Sequence, residues 1–175
     1  EQVEPAIALQ PDLVTIHAGL NDVLRPRVDL DALAARYDDA ITRLSATGAH
    51  VVMFATFDPG AHSFLAPLRG RMAIFNEFVR EISDRRGASL VDMWRMRDID
   101  LDEVFDVDRI HLNPLGHQLI AGRVLDTLAV PYDFAPVAPP VRPVLSRRQS
   151  AAARVQWTRE HLVPWVHRRV TGRSS

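Results

Sequence analysis

Three β-prone runs, LVTIHA at 13–18, AHVVMFATF at 49–57 and ASLVDMW at 88–94, are separated by two stretches with the apolar spacing of a helix face. This alternation constrains the fold more than any other feature of the chain. Within 29–48, Leu30, Leu33, Ala34, Tyr37, Ile41 and Leu44 fall on one side of a helix, and Gly48 offers a stop. Within 67–87, Met72, Phe75, Phe78, Val79 and Ile82 repeat the pattern up to Gly87. Pro114 and Gly116 lead into a last amphipathic helix expected over 117–130, and residues 1–9 read as the tail of an earlier helix. Apolar strands joined by helices imply a parallel sheet covered on both faces, a three-layer α/β/α arrangement with right-handed crossovers. Chemistry in such sheets gathers at the carboxyl ends of the strands.

Composition narrows the class. At 175 residues with 47% apolar content, the chain is long enough for one domain with a substantial core. It has no cysteine, which excludes disulfides and thiolate metal sites and leaves the redox compartment unread. No apolar run approaches the ~18 residues of a transmembrane helix. No signal-like segment follows Glu1, which leans towards the cytoplasm, although a chain opening on Glu rather than Met is expected to be the downstream part of a longer one, with any targeting segment out of view. Lysine is absent. Residues 1–140 hold 13 Arg against 21 acids, whereas 141–175 hold 8 Arg against the single acid Glu160.

That asymmetry divides the chain into an α/β body over 1–130, a proline-rich linker over 131–145 and a basic helical tail over 146–175, with Pro164 interrupting the tail helix. Trp157, Leu162, Trp165 and Val166 form a candidate apolar stripe on the tail. Docking on the chain's own acidic body is the default meaning of such a tail. A nucleic-acid role needs Trp stacking combined with Arg–phosphate contacts, and no nucleic-acid partner is expected.

Two short motifs sit where a parallel sheet puts its chemistry. GLND (19–22) follows the first strand. Gly19 permits a turn with positive φ, Asn21 offers amide donors suited to a developing oxyanion, and Asp22 can cap the turn or orient Asn21. Ordinary turn chemistry accounts for the same residues. DRIH (108–111) follows the third strand. A neutral imidazole takes a proton near pH 7 and works best when a carboxylate holds its other ring nitrogen, so Asp108 and His111 suit a base and its orienting acid. A solvated acidic loop, with Asp100, Asp102, Glu103 and Asp106 nearby, is the plain alternative.

Taken together, LVTIHAGLND (13–22) and DRIHLNPLGHQLIAGRVL (108–125) resemble the SGNH hydrolases, also called the GDSL esterase/lipase family, over about residues 1–130. The resemblance implies a flavodoxin-like sheet of strand order 2-1-3-4-5, with the three runs here as strands 3 to 5. It also implies Asn21 as the oxyanion-hole side chain, His111 as general base, Asp108 as its orienting acid, Gly19 as the shaper of the turn, and no metal or other cofactor. His117 is structural on this reading. A metal pair of His111 and His117 lacks a ligand signature. His17 is expected to be a core or strand-end histidine.

The family's nucleophile sits in a Gly-Asp-Ser motif after its first strand, and no serine of this chain follows Gly-Asp. Ser63, on the loop after the second strand, is expected to be a substrate-side residue. The economical expectation is that strands 1 and 2 and the serine lie upstream, in ~60 residues by ordinary α/β connection lengths. Strand LVTIHA would then carry a bared apolar edge, and the polypeptide alone would be poorly stable and inactive. The function implied is hydrolysis of a small-molecule, carbohydrate or lipid ester. Deacetylation of a sugar or cleavage of a short acyl ester is favoured over lipolysis, because no long apolar lid segment is evident. A non-catalytic SGNH-like binding domain with an Arg-rich partner-binding tail is the alternative. An unrelated flavodoxin-like domain lacks a phosphate-binding glycine loop. Oligomeric state is not legible.

Overall fold

A computed structural model describes residues 2–25, 27–60, 63–97, 99–141 and 145–170. His62 of the second strand-end loop, 142–144 of the expected linker and 171–175 of the expected tail lie outside the described residues. The chain forms two compact units. One comprises Glu1–Arg97 with Arg123–Pro131, and the other Asp98–Gly122 with Tyr132–Ser175.

The first unit holds helix α1 (Val3–Ala8), strand β1 (Leu13–Ile16), the short helix α2 (Leu20–Val23), α3 (Leu30–Ser45), strand β2 (His50–Ala55), α4 (Arg69–Arg86) and strand β3 (Ser89–Asp92). The sheet is parallel with order β1-β2-β3. Val14 pairs with Val51 and Ile16 with Met53, while Met53 pairs with Leu90 and Ala55 with Asp92. Asp29 starts α3 by accepting the amides of Asp31 and Ala32, the usual way to satisfy orphan donors of a first turn. Gly87 ends α4 in the left-handed conformation at φ 64°.

The helix faces read from the sequence are the ones buried. Leu33, Tyr37, Ile41 and Leu44 of α3 meet Met72, Phe75, Val79 and Ile82 of α4 over Val51, Val52 and Met53. Each such side chain contributes about 1.5–3 kcal/mol by leaving water. Tyr37, buried in this layer, donates its hydroxyl to the Ile16 carbonyl at 3.3 Å, which ties α3 to the end of β1. Burial in the same layer pushes the Tyr37 phenol up. β1 is an edge of the three-stranded sheet. Its residues alternate exposed and half-buried, with Leu13 45% exposed, whereas β2 is buried over most of its length.

The second unit holds α5 (Leu101–Val104), the start of α6 (Pro114–Thr127), α7 (Arg147–Trp157) and α8 (Val163–Val170). Two boundaries differ from expectation. Helix α6 begins at Pro114 and ends at Thr127. Proline is at home in the first helical position, where its missing N–H is not needed, so it opens the helix instead of preceding it. Ala129, at φ 54°, turns the chain out of α6 without a glycine. Pro164 does not break the tail. Residues Thr158–Leu162 form a π-helical turn that joins α7 to α8 just before it. A wider turn relieves the clash of the ring with the preceding carbonyls and the lost amide donor.

Residues 131–141 carry no regular structure, yet they are held. Gln118 of α6 donates to the Ala135 carbonyl at 2.6 Å and accepts the Val137 amide at 3.1 Å. The Tyr132 phenol lies against Gly122, where a Cβ would crowd its oxygen. Among the described residues no helix is long and apolar enough to cross a membrane.

Candidate functional site

GLND carries the chain from β1 into α2, with Gly19 as the turn and N-cap and Leu20–Asp22 in the helix. Gly19 is at φ 88°, and its carbonyl accepts the amides of Asp22 and Val23 at 3.0 Å. Two reasons demand glycine. The left-handed conformation disfavours side chains, and a Cβ would collide with the Phe75 ring. Asn21 stands exposed on α2, and Asp22 pairs with Arg25 at 3.5 Å. The turn is fixed from α4. Arg71 donates to the carbonyls of Val23 at 3.2 Å, Arg25 at 3.3 Å and Val28 at 2.7 Å, while Val23 and Leu24 are buried. The role of Arg71 had no signal in the sequence, because an arginine in a helix's first turn is unremarkable. His17, just beyond β1, is exposed and packs its ring 5.6 Å from that of Phe54. It is a strand-end residue rather than a core one, since β1 is an edge.

DRIH is built differently. Residues 104–113 fold back on themselves. The Asp106 amide donates to the His111 carbonyl at 2.8 Å, the Asn113 amide donates to the Val104 carbonyl at 3.0 Å, and Phe105 bridges Leu112. Arg109 occupies the left-handed region at φ 59°, its amide bonded to the Asp106 carbonyl at 2.9 Å. That reversal turns the backbone of Ile110 and His111 towards the Asp108 carboxylate. Oδ1 accepts the amides of Ile110 at 2.9 Å and His111 at 3.0 Å, and Oδ2 meets His111 Nδ1 at 2.5 Å. Burial alone would raise the Asp108 carboxyl, but the two amides and the imidazole outweigh it and hold the group below its ordinary value. The His111 side chain is 79% exposed, so the ring is oriented by Asp108 on one nitrogen and open to solvent elsewhere.

Asn113 anchors the base of this loop. Its Oδ1 accepts the Gly116 amide at 3.0 Å, capping α6, and its Nδ2 donates to the carbonyls of Glu103 at 2.6 Å and Phe105 at 3.2 Å. Gly116 is needed because a Cβ there would strike the Val104 carbonyl and Leu112. The NPLG stretch is therefore a cap and clamp for the loop that carries His111. His117 is exposed, its amide on the Asn113 carbonyl.

The loop after β2 is a structural knot. Buried Asp58 receives Arg69 through Nε at 2.6 Å and Nη2 at 2.7 Å, Arg97 at 2.7 Å and the Gly60 amide at 3.0 Å. The Arg69 guanidinium holds the Asp58 carboxyl well below the usual carboxylate range. Ser63 accepts the Leu65 amide at 3.2 Å, a turn-capping use of its hydroxyl. An open groove of about 530 Å³ between α1 and α3 is lined by Val3, Ala35, Arg36 and Arg43 among others, and has no histidine, serine or asparagine on its walls. Among the described residues no group of three or more His, Asp or Glu is arranged to hold a metal ion.

A parallel sheet flanked by helices, with an Asp–His pair on a loop after its third strand, makes this an α/β protein. The GDSL-like lipase/acylhydrolase family model matches residues 1–119, and the chain belongs to that family. No curated protein matches it significantly. Among solved structures it is similar to a variant of Axe2, an acetyl-xylooligosaccharide esterase from Geobacillus stearothermophilus, at 21% identity and a TM-score of 0.61, over 74% of this chain and 65% of that one. The chain thus spans just under two thirds of that esterase. It is also similar to the acetyl xylan esterase AlAXEase (19% identity, TM-score 0.60, 70% of this chain and 69% of that one). A third similar structure is LAE5, an α/β hydrolase enzyme from the metagenome of Lake Arreo, Spain (24% identity, TM-score 0.58, 73% and 67%). At these identities the likeness shows the fold.

Proposed function

We propose that this chain supplies the base, its orienting acid and an oxyanion donor of a serine ester hydrolase, within a family domain that ends near residue 130 and is followed by the linker and basic tail. The observation that carries this reading is the Asp108–His111 pair: a carboxylate at 2.5 Å from Nδ1 of an exposed imidazole. The carboxylate fixes the tautomer that leaves Nε2 as acceptor and stabilises the imidazolium that forms.

The nucleophile is a serine outside these 175 residues, since none of the chain's serines follows Gly-Asp. Its hydroxyl oxygen attacks the ester carbonyl while His111 Nε2 takes the proton. Asn21 donates to the oxyanion of the tetrahedral adduct. Collapse expels the alcohol, which receives the proton from His111. Water then attacks the acyl-serine by the same base and releases the acid. The substrate proposed is an acetyl or short acyl ester of a carbohydrate, in line with the acetylated xylan named for the similar esterases and with the absence of a long apolar lid segment.

The test is to express the complete open reading frame and probe it with a fluorophosphonate. A serine outside the present residues should be labelled. His111→Ala should cut ester hydrolysis about 10³-fold or more, while His117→Ala leaves it within about twofold. Undiminished turnover in His111→Ala would refute the assignment. The 175-residue chain alone should show no serine-dependent hydrolysis.

A further inference from the structure

The basic tail touches the candidate base loop at its tip. Trp157, the last residue of α7, donates its indole N–H to the Val107 carbonyl at 2.9 Å, and the Arg109 guanidinium lies over the Trp157 ring, 4.8 Å from its centre. Val107 and Arg109 are the two neighbours of Asp108 in the chain. Asn113 secures the base of the loop, whereas the tip is exposed, with Val107 at 73%. Arg109 must also stay left-handed, a conformation that disfavours a side chain, for Asp108 to reach both following amides and the imidazole. The Asp106 carboxylate accepts the Val107 amide at 2.7 Å, a contact within the tip itself.

We propose that Trp157 is a positioning residue for the Asp108–His111 pair: it grips the residue on each side of Asp108 and holds the carboxylate where it meets the ring. This rests on the reading of His111 as general base. The ring face restrains Arg109 through a cation–π contact, and the indole donor satisfies a carbonyl that would otherwise swing with the loop. The tail is then a brace for the dyad. The capping box that opens α7, Ser146 with Gln149, fixes where the helix starts and hence where Trp157 falls.

The test uses the protein from the complete open reading frame, isotopically labelled, and compares Trp157→Ala and Trp157→Phe with the parent by NMR. In Trp157→Ala the downfield signal of the His111 Nδ1 proton should broaden or vanish. The amides of Ile110 and His111 should exchange about tenfold faster, and the Asp108 carboxyl should titrate closer to an ordinary carboxylate. Asp106 and Arg109 are the charged groups beside it in the loop, with the His111 ring on its Oδ2, and all are unchanged in the variant. Trp157→Phe keeps a ring for Arg109 and loses only the donor, so it should exchange roughly threefold faster. Amides of Val52 and Met53 in β2 report that the sheet is intact. Faster exchange confined to α7 and α8, with His111 and Asp108 signals unmoved in both variants, would overturn the brace. In the complete enzyme, Trp157→Ala should lower kcat about tenfold with KM unchanged. Hydrolysis that persists in His111→Ala refutes the base assignment, and with it the catalytic meaning of the brace; unmoved NMR signals refute the brace alone.

Discussion

The two motif-bearing turns are held in opposite ways. GLND is fixed by the core: the Phe75 ring fills the space beside Gly19, and Arg71 gathers three carbonyls of the adjoining loop. DRIH is fixed by polar bonds of short sequence range, Asp108 to the next amides and ring, Asn113 to the helix it caps, together with the distant contacts of Trp157 to Val107 and Arg109. The donor proposed for the oxyanion is thus set on packed ground. The imidazole proposed as base is set on an exposed loop whose geometry its own hydrogen bonds impose. The first turn should fail when volume changes, and the second when a hydrogen bond is lost.

Gly19→Ala should have the largest effect. It forces a side chain into a left-handed residue and against an aromatic ring, at a cost of about 3 kcal/mol. For a chain of this size that lowers Tm by roughly 9 °C. Phe75→Leu in the same chain should recover part of the loss, and calorimetry of the two variants measures it. An unchanged melt in Gly19→Ala would mean that the core does not set this turn.

Asn113→Ala comes next, at about 2 kcal/mol, because it removes a helix cap and leaves two carbonyls without their donor. Its signature is regional: amides of 104–116 should exchange faster while those of Asp22 and Val23 hold. Uniform loss of protection in both turns would contradict the contrast.

The smallest effect is acidification. The Asp108 carboxyl is lowered in the folded chain, so its contribution is complete above the ordinary carboxylate value near 4. It is lost as pH falls through the folded value. Below that point the Ile110 and His111 amides should exchange several-fold faster relative to those of Asp22 and Val23, whose acceptor is the Gly19 carbonyl and does not titrate. Equal responses in the two turns would erase the distinction.

The sequence carried most of the first unit. Three apolar runs and two helix faces are set by periods of two and 3.6, and buried Ile41, Val52 and Val79 sit where that pattern places them. Boundaries near Pro114 and Pro164 were harder, because a proline both opens and disturbs helices and only the bonds of its neighbours decide which. At the candidate site, Asp108 and His111 were legible because a three-residue spacing lets one loop join them. Arg71 was not, and Trp157 was legible only as part of the tail's apolar stripe, not as a partner of this loop.

Residue order alone determined whatever reaches its partner within a few positions: the strand and helix pattern, the Asp29 cap, the Asp108–His111 contact, the need for glycine at 19. Backbone stereochemistry and short side-chain reach settle these before any packing exists. Tertiary structure decided the rest. That Phe75 backs Gly19, that Arg71 spans 48 residues to the Val23 carbonyl, and that Trp157 spans 50 to Val107 are settled only once helices are packed. Periodicity tells which face of a helix turns inward, but the partner it meets there depends on the distances and angles of the folded chain.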